Sequence, residues 1–96
     1  MKKINIGKFA YNIFLNQYHL CFKVDTEKKH FIIKFGKNLQ RIRIEKKLTQ
    51  AQLATDSNVE ISQISRIERG VLNTSIGNVY TISKALGVPI DEFFKF

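Results

Sequence analysis

The apolar positions of this chain change their rhythm part-way along. Leu20, Phe22 and Val24 alternate with single intervening residues, and alternation of that kind predicts a short β-strand. From Asp25 the period lengthens. Ile32, Phe35, Leu39 and Ile42 recur at steps of three and four, which puts them on one stripe of an α-helix. Asp25 or Thr26 would cap its start, with Glu27 in a first turn where the helix dipole favours negative charge. The helix is expected to end near Lys46 or Lys47, and Gly36 to weaken its middle and mark a bend.

Thr49 opens a second helix, because its hydroxyl and the Gln52 side chain can form a capping box. Leu53 and Ala54 face inward. Ser57-Asn58 breaks the helix, and Asn58 suits a left-handed turn position. A third helix covers residues 61–68, with Val59, Ile64 and Ile67 pointing inward and Gly70 just past its end. Thr74 or Ser75 caps a fourth, which carries Ile76, Val79, Ile82, Ala85 and Leu86 and stops at Gly87. Pro89 suits the first turn of a last short helix with Ile90, Phe93 and Phe94. The expected fold class is therefore all-α: a five-helix domain over residues 26–96, preceded by an extension over residues 1–25. A two-stranded ribbon alone is marginal, so the extension docks on the body, pairs with another subunit, stays loose or serves as an arm.

Two short helices separated by a tight turn, at 49–57 and 60–69, form a helix-turn-helix arrangement, in which the second helix enters the major groove of DNA. Helices that cross steeply need small residues at the crossing, and Ala51 and Ala54 supply them. Val59 pins the turn.

Ninety-six residues leave room for one domain, and the apolar and charged fractions of 44% and 25% are ordinary for a folded chain. The formal charge of +8 points to a polyanion. It is unevenly placed: residues 1–47 hold twelve Lys and Arg against three acids, a net of +9, and residues 48–96 hold four against five, a net of −1. The first half is expected to supply electrostatic attraction and the near-neutral second half to read bases. Lys34, Lys37, Arg41, Lys46 and Lys47 attract phosphate or form a solvated face. The lone Cys21 allows neither an internal disulfide nor a zinc set. His19 and His30 stand eleven residues apart with no carboxylate cluster beside them, so no metal site is expected. No cofactor motif is present, and no phosphate loop or nucleophile-base pair suggests an enzyme. Polar residues interrupt the apolar N-terminal stretch, so neither a signal peptide nor a membrane span is expected. A cytoplasmic, nucleoid-associated protein fits best.

Three stretches sharpen the picture: "LTQAQLA" at 48–54, "ISRIERG" at 64–70 and "SIGNVYTISKALGVPIDEFF" at 75–94. Together they resemble the phage repressor and Cro-like helix-turn-helix domains of the xenobiotic-response-element family, over about residues 32–94. The chain is also similar, more weakly, to the controller proteins of restriction-modification systems. The resemblance implies that Gln50 contacts DNA phosphate, as a residue at a helix N-terminus can. It implies that Ile61, Ser62, Ser65 and Arg66 face the groove, and that Arg69 and Asn73 contact the backbone just after the helix. Arg43 and Glu68 match a buried ion pair tying the first helix to the third. Arg66 suits a bidentate bond to guanine, or else neutralises a phosphate, and Ile61 suits a thymine methyl. Glu60 departs from the family pattern, which prefers a small cap there. It accepts a bond from cytosine or merely caps the helix and reduces non-specific binding, the second being favoured.

The expected function is sequence-specific binding of double-stranded DNA at a pseudo-palindromic operator, as a transcriptional regulator. A homodimer is expected, because Phe93, Phe94 and Phe96 crowd a core too thin to bury them all. The rival class is an antitoxin-like or protein-interaction module on the same fold.

Overall fold

The computed structural model describes the backbone of residues 6–71 and 73–96, with side chains from Lys23 onward except Leu72. Among the described residues four α-helices follow one another: α1 (Ile6–Glu45), α2 (Gln50–Ser57), α3 (Ile61–Glu68) and α4 (Ile76–Leu86), with a terminal 3-10 helix over Ile90–Phe94. The class is all-α, with five helical segments as the periodicity predicts, although the last is 3-10. Among the described residues there is no strand, and no helix is long and apolar enough to cross a membrane.

The largest departure from the sequence reading lies in α1. Leu20, Phe22 and Val24 are helical, not a strand, and the helix runs through Asp25 and Thr26 instead of starting there. Three alternating residues are a weak signal, and no Pro or Gly lies between Gly7 and Gly36 to stop a helix. The boundary expected between residues 25 and 26 thus falls inside α1. The dispositions weighed for residues 1–25 concern side chains that up to Phe22 lie outside the described residues.

All four helices end in the same way. A residue at the cap or within one position of it turns left-handed, and the next N–H reaches back five residues: Leu48 N to Arg43 O, Val59 N to Ala54 O, Val71 N to Arg66 O and Val88 N to Ser83 O, at 3.0–3.2 Å. The left-handed residues are Lys47, Asn58, Gly70 and Gly87. This motif satisfies carbonyls that a helix end leaves open. At their starts, Thr49 and Gln52 form the full capping box on α2, and Ser75 caps α4 by accepting from Asn78 N. Pro89 stands at the N-cap of the 3-10 helix, one position before the expected first turn.

Caps contribute roughly 1 kcal/mol each, and eight-residue helices are unstable alone. Packing must therefore hold α2 and α3. Leu39, Leu53, Ile64, Ile67, Ile82 and Phe93 are fully buried, one or more from each element, and each contributes roughly 1.5–3 kcal/mol. Phe35, Ile42, Ala54, Val59, Val79 and Leu86 complete the core. One assignment at the crossing fails: Ala51 is exposed, while Ala54 is buried. Ile76, an apolar residue at the first position of α4, is 84% exposed.

Gly36 has a different role from the expected bend. It is buried where α1 crosses the end of α3, and a Cβ there would overlap the Ile67 carbonyl oxygen and stand 3.0 Å from that of Glu68. Gly70 also packs closely on α1, with Ile33 Cγ1 2.8 Å from where its Cβ would be.

Candidate nucleic-acid interface

The inward face of α3 is Ile64, Ile67 and Glu68. At about 100° per residue, the arc left outward holds Ile61, Ser62, Ser65 and Arg66, with Arg69 just past the helix. Ile61, Ser62, Arg66 and Arg69 are exposed and Ser65 is half-buried. The fold thus gathers these five residues on one outward edge. Asn73, in the loop before α4, is also exposed. Arg69 is held back along the helix, its Nε donating to Ser65 O at 3.3 Å.

Behind this edge lies a buried polar network. Arg43 Nε donates to Glu68 Oε2 at 2.6 Å and Nη2 to Glu68 Oε1 at 2.9 Å. The third nitrogen, Nη1, donates to Leu48 O at 2.7 Å. The side chains are 10% and 1% exposed, and the Glu68 hydrogen bond raises the Arg43 guanidinium above its ordinary pKa, against the opposing effect of burial. The guanidinium therefore stays charged at any physiological pH. It ties α1, the α1–α2 turn and α3 together.

The same carboxylate accepts from Gln50 Nε2 at 3.0 Å. In the free protein the Gln50 side chain is therefore held on Glu68, and its position at the start of α2 beside α3 is set by the network. Nothing in the sequence pattern pointed to this bond. A second tie was also missed: Asn78 Nδ2 donates to Gln63 Oε1 at 3.3 Å, joining the flank of α3 to the first turn of α4.

Glu60 is the N-cap of α3 but makes no side-chain capping bond, which corrects the expectation that it caps. Its extra methylene makes it a poorer fit than Ser, Thr, Asn or Asp at this position. An exposed carboxylate therefore stands at the leading end of α3.

Asp91 and Glu92 fall in the first turn of the 3-10 helix. Both engage Lys95, whose Nζ lies 2.8 Å from Glu92 and 3.7 Å from Asp91 and whose pKa is raised, chiefly by its hydrogen bond to Glu92. No group of three His, Cys, Asp or Glu side chains able to hold a metal occurs among the described residues. The side chains of His19 and Cys21 lie outside them.

The helix-turn-helix family profile matches residues 39–93, which span α2, α3 and α4. The chain belongs to the helix-turn-helix family of the xenobiotic-response-element type. It is a DNA-binding transcription regulator and not an enzyme. It is 40% identical over 63 residues to the control protein C.BamHI of Bacillus amyloliquefaciens, covering 65% of this chain and 78% of that one. The immunity repressor of Bacillus phage phi105 is 38% identical over 55 residues, 57% of this chain and 38% of the repressor. Among solved structures, the restriction-modification controller protein C.AhdI from Aeromonas hydrophila superposes with a TM-score of 0.65 at 35% identity, over 66% of this chain and 96% of that one. The regulator is therefore similar to controller proteins over about two thirds of its length, while the family match leaves the first 38 residues uncovered.

Proposed function

We propose that this regulator binds a pseudo-palindromic operator in double-stranded DNA as a homodimer. One α3 would enter the major groove at each of two half-sites about one helical turn apart. The observation that carries this reading is the outward arc of Ile61, Ser62, Ser65 and Arg66, backed by the Arg43–Glu68 pair. In it Arg66 bonds guanine at two points, Ile61 packs on a thymine methyl, and Ser62 and Ser65 accept or donate according to the base. Arg69, Asn73 and the start of α2 at Gln50 hold the phosphate backbone and fix register. Residues 26–96 form the DNA-binding domain and residues 1–25 its extension, and the protein acts in the cytoplasm on the nucleoid. No metal or cofactor enters this scheme.

Self-association is supported by exposed aromatic surface. Phe93 is buried, but Phe94 and Phe96 at the C-terminal end remain 44% and 51% exposed, and exposed apolar surface of this kind suits a two-fold interface.

Selection from a random duplex pool tests the operator. Enriched sequences should share two inverted half-sites with a guanine in each, and sedimentation with the selected duplex should give two chains per site. Enrichment of a single unrepeated half-site would overturn the dimeric reading. Absence of binding to any duplex at low salt would favour a protein-interaction module instead.

A further inference from the structure

The Glu60 side chain has no partner among the described residues. It occupies the N-cap of α3 without capping it, it is exposed, and it takes part in no ion pair there. Only its backbone is engaged. The Glu60 carbonyl accepts from Gln63 N at 3.0 Å and from Ile64 N at 3.1 Å, which fixes where the side chain leaves the chain. It stands directly before Ile61 and Ser62, the exposed residues that open the outward arc. A recognition helix presents its N-terminal residues to base edges, so this carboxylate sits at the end of α3 that meets the bases.

A negative charge at that end is repelled by phosphate whatever the sequence, and an ionised carboxylate can only accept hydrogen bonds. In the major groove guanine shows two acceptors, thymine an acceptor and a methyl group, and adenine a donor beside an acceptor. Cytosine shows a donor, its N4 amine, with no acceptor on the same edge. We infer, on the operator reading above, that Glu60 is a specificity-determining residue that reads one cytosine in each half-site, its carboxylate accepting from the N4 amine. Where cytosine is present the bond offsets the repulsion, and where it is absent the repulsion stands unopposed. Glu60 therefore selects chiefly by weakening wrong sites, whereas Arg66 selects by bonding guanine at the right one. Six positions of α3, about 9 Å of rise, separate Glu60 from Arg66. Base pairs follow one another at about 3.4 Å, so the two residues act on different pairs.

Anisotropy titrations of the full chain test the assignment, using the selected operator with all four base pairs placed in turn at each half-site position. The wild type should prefer cytosine at one position by about ten-fold. Glu60→Ala should abolish that preference by raising affinity for the other three bases, and should leave the guanine preference elsewhere in the half-site intact. Glu60→Gln should move the preference at the same position from cytosine to adenine, whose N6 and N7 a carboxamide bonds together. An equal gain on every operator in Glu60→Ala would overturn the inference, since the carboxylate would then act on phosphate only. So would a wild type indifferent to cytosine, or a cytosine preference that survives in both variants. In each of those outcomes the paired half-sites and their guanine remain, so the operator reading stands. A wild type that binds no duplex overturns both.

Discussion

Two arginines on neighbouring helices have opposite surroundings, and their chemistry follows from that. Arg66 is exposed on the outward arc of α3 and forms no ion pair among the described residues, so its fork of donors is available to a base edge. Replacing it with Ala is expected to cost about 1–3 kcal/mol of operator affinity and to relax preference at one base pair. Anisotropy titrations against the operator and its single-base variants check this, and an equal loss on every duplex would assign Arg66 to phosphate instead. Arg43 is buried on Glu68. Removing one partner of such a pair strands the other charge away from water, so Glu68→Ala should destabilise the fold by roughly 3–5 kcal/mol. An unchanged thermal midpoint would contradict that. The family motif indicated both positions in the sequence. The Gln50 bond to Glu68 was not legible, because it joins residues 18 apart through a side-chain rotamer that no periodicity encodes.

At the scale of elements, what could be read was what local chemistry decides. The bounds of α2 and α3 follow from Thr49, Gln52, Asn58 and Gly70, whose backbone preferences act within a turn or two of where they stand. The start of α1 was misread because Asp25 and Thr26 can cap but do not have to. A favourable cap residue is tolerated inside a helix when nothing upstream breaks it. Gly36 shows the other limit. A glycine in an amphipathic helix signals either a bend or a close approach, and only the position of α3 decides which. Because Ile67 and Glu68 carbonyls lie against it, Gly36→Ala is expected to destabilise by about 1–3 kcal/mol, the usual cost of overpacking. Helix propensity alone predicts the opposite, a gain of about 1 kcal/mol. The sign of the change in chemical-denaturation midpoint therefore separates the two effects.

At the scale of the whole molecule, the charge raises a sharper question than its sum. The first 47 residues carry a net of +9, which suggested that they attract the duplex that α3 reads. The geometry of α1 divides those charges. Gly36 and Arg43 mark the side of α1 that meets α3. At about 100° per residue, Lys34, Lys37 and Arg41 lie more than about 100° round the helix from it. All three are exposed, and Arg41 is already paired with Glu45 at 2.8 Å. A charge on the far side of a helix about 10 Å thick is screened at physiological salt, where the Debye length is about 8 Å. Only cations that touch phosphate release counterions on binding. The dependence of operator affinity on salt therefore locates the contacts. Arg69→Gln should lower the slope of log affinity against log salt by about one. The double change Lys34→Gln with Lys37→Gln should leave the slope unaltered and weaken binding only at the lowest salt. If the lysine pair lowers the slope instead, the duplex wraps further round the domain than the outward arc of α3 implies, and α1 belongs to the interface.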